Sequence, residues 1–235
     1  MSSTYLIQVI DSLRIRLRGE GRQQELDALI NELNRRWDGD VPFMDQAYVA
    51  FDLETTGLHP FGGDRITALG AVRIEKGEVT SDGFEQLVNP GRTIPHDTAA
   101  LTGITDPDVA GAPSVQAALP WFLAFLAQGV PLGYNADFDL AFLNLALRPH
   151  TRLKISRAAV LDILPVVQAL NPRWEHPLLD DVANHYGVPL ERRHSALGDA
   201  VIHARLFLSL IPLLRERGIY TLKDLRSYLH YKGFF

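Results

Sequence analysis

Residues 47–53 read Ala-Tyr-Val-Ala-Phe-Asp-Leu, an almost unbroken apolar run that closes on acids at Asp52 and Glu54. A strand of this texture is buried on both faces, so it belongs in the middle of a sheet with further layers on either side. Residues 65–75 and 78–88 flank Lys76-Gly77 and form an expected antiparallel hairpin beside it. A Gly-, Pro- and Thr-rich stretch follows at 90–113, with a short helical piece near 98–101, and Ser114 is placed to cap a helix running to about residue 128. The pattern then alternates: a strand at 131–135, a helix containing Phe138, Phe142 and Leu145, a strand at 158–162, and helices near 163–170, 178–186, 195–215 and 222–230. Thr221 with Asp224 makes a capping box for the last helix. A meander followed by alternating strands and helices predicts an α/β domain with a mixed sheet.

Residues 1–46 have a different texture. Leu6, Ile10, Leu13 and Leu17 recur at helical spacing, Gly19 and Gly21 interrupt, and Leu26, Leu29, Ile30, Leu33 and Trp37 resume it. The expectation is a helical hairpin at 1–46 in front of a main domain at 47–235. The extension can pack on that domain, form a homodimer interface or bind a protein partner.

The chain has no cysteine, so a metal would have to be held by Asp, Glu, His or backbone oxygens. No apolar run approaches the roughly 20 residues that span a bilayer, so no membrane association and a cytoplasmic location are expected. A net charge of −5 argues against coating nucleic acid by bulk electrostatics. An enzyme on nucleic acid is still permitted, because a site that gathers carboxylates for divalent cations is itself acidic. Arg148, Arg152, Lys154 and Arg157 form an acid-free basic stretch, either a phosphate patch or a solvated loop.

Three short constellations carry chemistry. In Phe51-Asp52-Leu53-Glu54-Thr55-Thr56-Gly57-Leu58, alternation along a strand puts Asp52 and Glu54 on one face at the strand's end. Two acids beside a buried strand cost stability unless a cation or solvent neutralises them. The second is Tyr134-Asn135-Ala136-Asp137-Phe138-Asp139, where Asp139 falls in the first turns of a helix; it is either a ligand or a helix-start acid, with Asp137 the nearby alternative. The third is His194-Ser195-Ala196-Leu197-Gly198-Asp199. A five-residue offset separates side chains by about 140° on a helix, so His194 and Asp199 share a site only if His194 precedes the helix and Ser195 caps it.

Together and in this order the three motifs resemble the DnaQ-like, or DEDDh, exonuclease family, with its Asp-x-Glu-Thr-Thr-Gly, Asn-Ala-x-Phe-Asp and His-x-x-x-x-Asp elements. Asn89-Pro90-Gly91, Ile94-Pro95, Leu101-Thr102-Gly103-Ile104-Thr105-Asp106 and the segment 179–187 extend the likeness over about residues 48–214. One departure is Tyr134, where family members usually carry histidine.

The resemblance implies an RNase H-like mixed five-stranded sheet flanked by helices. It implies two Mg²⁺ or Mn²⁺ ions held by Asp52, Glu54, Asp139 and Asp199, with Asp52, Glu54 and Asp199 on the tighter ion and His194 as the base that deprotonates water. Thr55, Thr56 and Leu58 would hold the terminal nucleotide, Leu101 and Ile104 would wedge its base unless they are core residues, and Asn135 and Phe138 join the substrate set. The expected reaction is metal-dependent 3′-to-5′ removal of nucleoside 5′-monophosphates from nucleic acid, DNA before RNA and single strands before duplex, in a repair or proofreading setting. RNA trimming is the alternative within the enzyme class. A non-catalytic nucleic-acid-binding scaffold is the alternative outside it, and its usual mark, loss of one acid, is absent here. Asp162 is expected to cap the following helix, and His96 and His203 to be structural.

Overall fold

The computed structural model describes residues 22–35 and 39–234. The first predicted helix, with Leu6, Ile10, Leu13 and Leu17, lies outside the described residues, as does Trp37. The second is helix α1 (Arg22–Arg35). Its residues Leu26, Ile30 and Leu33, at helical spacing, are buried. They join a core built with residues of the central sheet and the helix at 115–126.

That sheet contains five strands: β1 (Tyr48–Thr55), β2 (Ile66–Glu75), β3 (Glu78–Leu87), β4 (Val130–Gly133) and β5 (Leu161–Asp162). Their order is β3-β2-β1-β4-β5, with the first three antiparallel and β4 and β5 parallel to β1. The expected mixed sheet is therefore present, and its most apolar strand is central. The last strand is shorter than residues 158–162, because Arg157–Ala159 turns as a 3-10 helix before β5 starts.

Between the strands run α2 (His96–Thr102), α3 (Asp106–Val109), α4 (Val115–Leu126) and α5 (Ala136–Leu147), and after β5 come α6 (Ile163–Leu170), α7 (Leu179–His185), α8 (Ala196–Arg215) and α9 (Leu222–Tyr231). The capping box Thr221–Asp224 is formed at the start of α9. The short α3, absent from the sequence expectation, is held by a second such box between Thr105 and Asp108.

Alternation along β1 sorts its residues between two cores. Val49, Phe51 and Leu53 face the side of α1, α4 and α5, whereas Tyr48 and Ala50 face the side of α6 to α9. The second set continues into Asp52 and Glu54. Helix α8 crosses that face with Asp199, His203 and Phe207 at four-residue steps: Asp199 lies among the strand acids, His203 touches Phe51 and Asp52, and the Phe207 ring lies 4.9 Å from that of Tyr48. One helical step of four residues advances about 6 Å and two strand residues about 6.6 Å, so α8 stays in register with β1 as it runs back along it.

Among the described helices, α8 is the one long and apolar enough, by length and composition alone, to cross a bilayer. Polar residues interrupt its apolar run without lowering the average far, and its apolar face is buried in this core.

Candidate active site

The strand end supplies the first two acids. Asp52 pairs across β1 and β2 with Gly70, and a β-bulge between Glu54 and Thr55 ends the regular ladder. Gly70 has a specific use: a Cβ there would overlap the backbone of Ala196 and Leu197, so only glycine lets the first turn of α8 lie against the sheet beside Asp52. That approach delivers Asp199. Ligand oxygens of Asp52, Glu54 and Asp199 lie within 4.8 Å of one another, with Glu54 and Asp199 buried.

Asp139 lies outside that 4.8 Å group but near enough that its charge acts on Asp52 and that of Glu54 acts on it. Helix α5 starts at Asn135, which adopts the left-handed conformation (φ 55°, ψ 47°), and Asp162 accepts from the backbone N–H groups of Asn135 (2.9 Å) and Ala136 (3.1 Å). The same carboxylate also caps α6 through Leu164 N–H (3.0 Å), so the expected capping acid holds two helix starts. Asp139 is buried, and the Leu53 backbone N–H of β1, past the last residue paired with β4, pulls on its carboxyl. The neighbouring Asp137 is exposed and ion-paired to Arg157 (2.7 Å), which separates the two acids of this motif by environment. Arg157 also bonds Asp162, so this member of the basic stretch braces α5; Arg148, Arg152 and Lys154 are exposed.

These four carboxyls cannot share so small a space as full anions without cost. Burial first, then Asp139, Asp199 and Glu54, push Asp52 well above the usual carboxylate range. Burial likewise raises Asp139, against the pull of the Leu53 N–H, and Asp199, against the pull of Arg193. Glu54 moves from 4.5 to about 7 through burial and Asp199. Asp199 Oδ1 is buried without a hydrogen-bond partner, while Oδ2 is bonded to Arg193. A buried carboxylate oxygen without a donor, facing two more acids, fits a hard divalent cation.

His194 precedes α8, and Ser195 caps that helix by accepting from Gly198 N–H (3.2 Å), as the five-residue offset requires. The turn is tight: Arg192 and His194 both have positive φ (53° and 62°). His194 is half-buried.

The nucleotide-holding residues expected from the motif lie around the same strand end. Thr55 donates to Gly57 O (2.7 Å), and Thr56 is buried, donates to Asp64 (3.1 Å) and accepts from Arg65 N–H. Thr98 of α2 donates to Thr56 O (3.2 Å), which fastens α2 to this segment. Leu58 and Leu101 are 72% and 57% exposed, so Leu101 is a surface residue and not part of the core; Ile104 is half-buried. Asn135 is exposed, and half-buried Phe138 packs its ring 5.1 Å from that of Phe142.

Two residues gain roles that sequence reasoning did not give them. Arg193 bonds Asp199 and Asp180 (2.5 Å to the latter). His203 is buried and its Nδ1 lies 3.0 Å from Phe51 O. A carbonyl only accepts, so Nδ1 carries the proton and the Nε2 lone pair faces Asp52 Oδ1, 3.9 Å away. Burial lowers its pKa to about 4 and keeps it neutral. The signal for it was the four-residue step from Asp199; Arg193 had none. His96, by contrast, is exposed on α2. Tyr134 stacks on His203 (6.2 Å between centroids, 26° between planes) and donates to Pro177 O (2.6 Å).

The exonuclease family model, RNase T, matches residues 49–207, which contain the acids, His194 and the strands that carry them. The chain belongs to the DnaQ-like exonuclease family. It is 39% identical over 188 residues to the DNA polymerase III subunit epsilon-like protein of Rhodobacter capsulatus, covering 77% of this chain and 26% of that protein. To the PolC-type DNA polymerase III of Clostridium perfringens it is 34% identical over 191 residues, covering 81% of this chain and 13% of the other. The chain thus spans about a quarter or less of the length of these relatives. Among solved structures, the nuclease domain of 3′hExo, a DEDDh family member bound to rAMP, has a TM-score of 0.60 at 19% identity and covers 73% of this chain and 94% of that one. A zinc-bound complex of Escherichia coli exonuclease I with single-stranded DNA has a TM-score of 0.59 at 19% identity and covers 72% and 41%. These likenesses establish the exonuclease fold around the acid cluster.

Proposed function

We propose that this DnaQ-like domain is a metal-dependent 3′-to-5′ exonuclease that acts on DNA, single strands before duplex, and releases nucleoside 5′-monophosphates. The observation that carries the reading is the buried, unpartnered Asp199 Oδ1 within one cluster with Asp52 and Glu54. Asp52, Glu54 and Asp199 would hold one Mg²⁺ or Mn²⁺, and Asp139 with Asp52 a second. When bound, such a pair neutralises developing charge and acidifies water for an in-line displacement at phosphorus.

His194 takes the proton of the attacking water; a half-buried imidazole at the mouth of an acidic site is suited to hold it and release it to solvent. Thr55, Thr56 and the backbone to Leu58 hold the terminal nucleotide. Exposed Leu58 and Leu101, with Ile104, Asn135 and Phe138, offer its base apolar and backbone contacts that tolerate any sequence. The DNA polymerase III relatives support DNA over RNA as substrate. We read residues 1–46 as an extension to the nuclease domain at 47–235 that serves a second copy or a protein partner, of which α1 packs on that domain.

Matched 3′-labelled and 5′-labelled single-stranded DNA and RNA, incubated with Mg²⁺, Mn²⁺ or EDTA, test this. Shortening from the 3′ end, faster on DNA and abolished by EDTA, is expected. Shortening from the 5′ end only, or activity in EDTA, overturns the proposal, and faster loss of RNA replaces the substrate.

A further inference from the structure

Arg193 belongs to none of the three motifs, yet its guanidinium acts on three of the four acids, Asp52, Glu54 and Asp199. It bonds Asp199 Oδ2 through Nη1 and Asp180 Oδ1 of α7 through Nε (2.5 Å), with its side chain 25% exposed. Its charge also acts on Asp52 and Glu54, pulling both carboxyls down against burial. Asp199 is thereby divided: one oxygen is held by Arg193 and the other is left unpartnered toward the strand acids.

We propose that Arg193 is the resident counter-cation of the site: it neutralises the acid cluster in the metal-free protein and competes with the divalent ion for Asp199, and Asp180 is the position to which it withdraws when the ion binds. This rests on the metal-site reading above. The physical reason is that a fixed guanidinium and a divalent ion repel, and within a poorly solvated cluster that repulsion is only weakly screened. A compact acid cluster would otherwise weaken the fold before metal arrives, since unpaired buried charges are costly. Asp180 is 46% exposed, so a guanidinium shared with it has solvent on one side and room to shift without becoming unpaired.

The test is Mn²⁺ binding to the full chain by titration calorimetry, with thermal melting in EDTA and in Mn²⁺, for wild type, Arg193→Gln, Arg193→Lys and Asp180→Asn. Arg193→Gln should bind Mn²⁺ about tenfold or more tightly, because a like charge has been removed, and should melt lower in EDTA but gain more from Mn²⁺ than wild type. Arg193→Lys keeps the charge and should bind nearly as wild type does. Asp180→Asn removes the withdrawal position and should bind more weakly, an effect that disappears in the double variant with Arg193→Gln. Unchanged or weaker binding by Arg193→Gln overturns the inference. If that variant does not fold in EDTA, Asp180→Asn decides: binding as tight as wild type or tighter overturns it. Wild type that binds no Mn²⁺ refutes the metal site itself, whereas wild-type binding with an unaffected Arg193→Gln refutes only the counter-cation.

Discussion

The two halves of the site are held in different ways. Asp52, Glu54 and Asp139 are fixed by backbone: the first two by the β1 ladder with β2, the third by the start of α5, which Asp162 holds. His194 sits on a turn with two left-handed residues and Asp199 in the first turn of α8 just after it; that turn is tied down by side-chain pairs, Arg193 to Asp180 and Arg192 to Glu85 (2.7 Å). Backbone-held acids keep their geometry whatever the ionic conditions. The turn is secured by charges, of which the exposed ones weaken with salt. The strand half is therefore preformed for the proposed metal, and the turn half is where binding, protonation and ionic strength can adjust the site.

The strongest blow to this contrast comes from removing a ligand in each half. Asp52→Ala and Asp199→Ala should both abolish nuclease activity, but differ in stability without metal. Asp52→Ala relieves a crowded buried acid and should raise the melting temperature in EDTA, whereas Asp199→Ala also takes from Arg193 one of its two carboxylate partners and should gain less. Equal shifts in calorimetric melting would erase the distinction. His194→Ala removes the proposed base while leaving the acids in place, so activity should fall roughly 10²- to 10⁴-fold with Mn²⁺ affinity kept within a few-fold. Loss of metal binding in that variant would show that the turn positions ligands rather than protons.

A pH series sharpens the same contrast. The Glu54 pKa is raised from 4.5 to about 7, so between those values the folded metal-free protein keeps a proton that the unfolded chain has lost. The unfolded state then binds fewer protons, and stability falls as pH rises through this window, by roughly 3 kcal/mol for a shift of this size. Glu54→Gln should flatten the slope in denaturant titrations from pH 4.5 to 7. Saturating Mn²⁺ should reverse it, because the ion binds the ionised cluster and its affinity grows as protons leave. A slope unaltered by Glu54→Gln would assign the proton elsewhere.

The halves also differ in how far the sequence revealed them. The apolar run into Asp52 and Glu54 shows both the central strand and its acids, because strand periodicity and burial act on neighbouring residues. The offset from His194 to Asp199 is interpretable once Ser195 is taken as a cap, which is again a local rule. Arg193 was hidden because its partner Asp180 lies on another helix, and His203, although four residues on from Asp199, because its partners Phe51 and Asp52 lie in another layer. The choice between Asp137 and Asp139 likewise waited on a long-range contact, the Arg157 pair that draws Asp137 outward. Gly70 reads in sequence as a weak point in a strand, and its purpose appears only when α8 is seen lying on it. The same holds for the short β5, where a 3-10 turn takes residues whose local pattern resembles strand.

Tyr134 provides the smallest and most selective test, because it departs from the family pattern on the strand side. Its ring lies on His203, and its hydroxyl donates to Pro177 O, a tie between the end of β4 and the segment leading to α7. Tyr134→Phe keeps the ring and removes one part-buried hydrogen bond, so unfolding free energy should fall by about 1 kcal/mol in urea titrations. Mn²⁺ affinity should be unchanged, since β1 and not this hydroxyl fixes Asp52. His203 is held independently by Phe51 O, so the stack alone is enough to keep it beside Asp52. A Tyr134→Phe protein that folded normally but bound Mn²⁺ several-fold more weakly would mean that the strand half also depends on side-chain ties, and the two halves would then differ in degree rather than in kind.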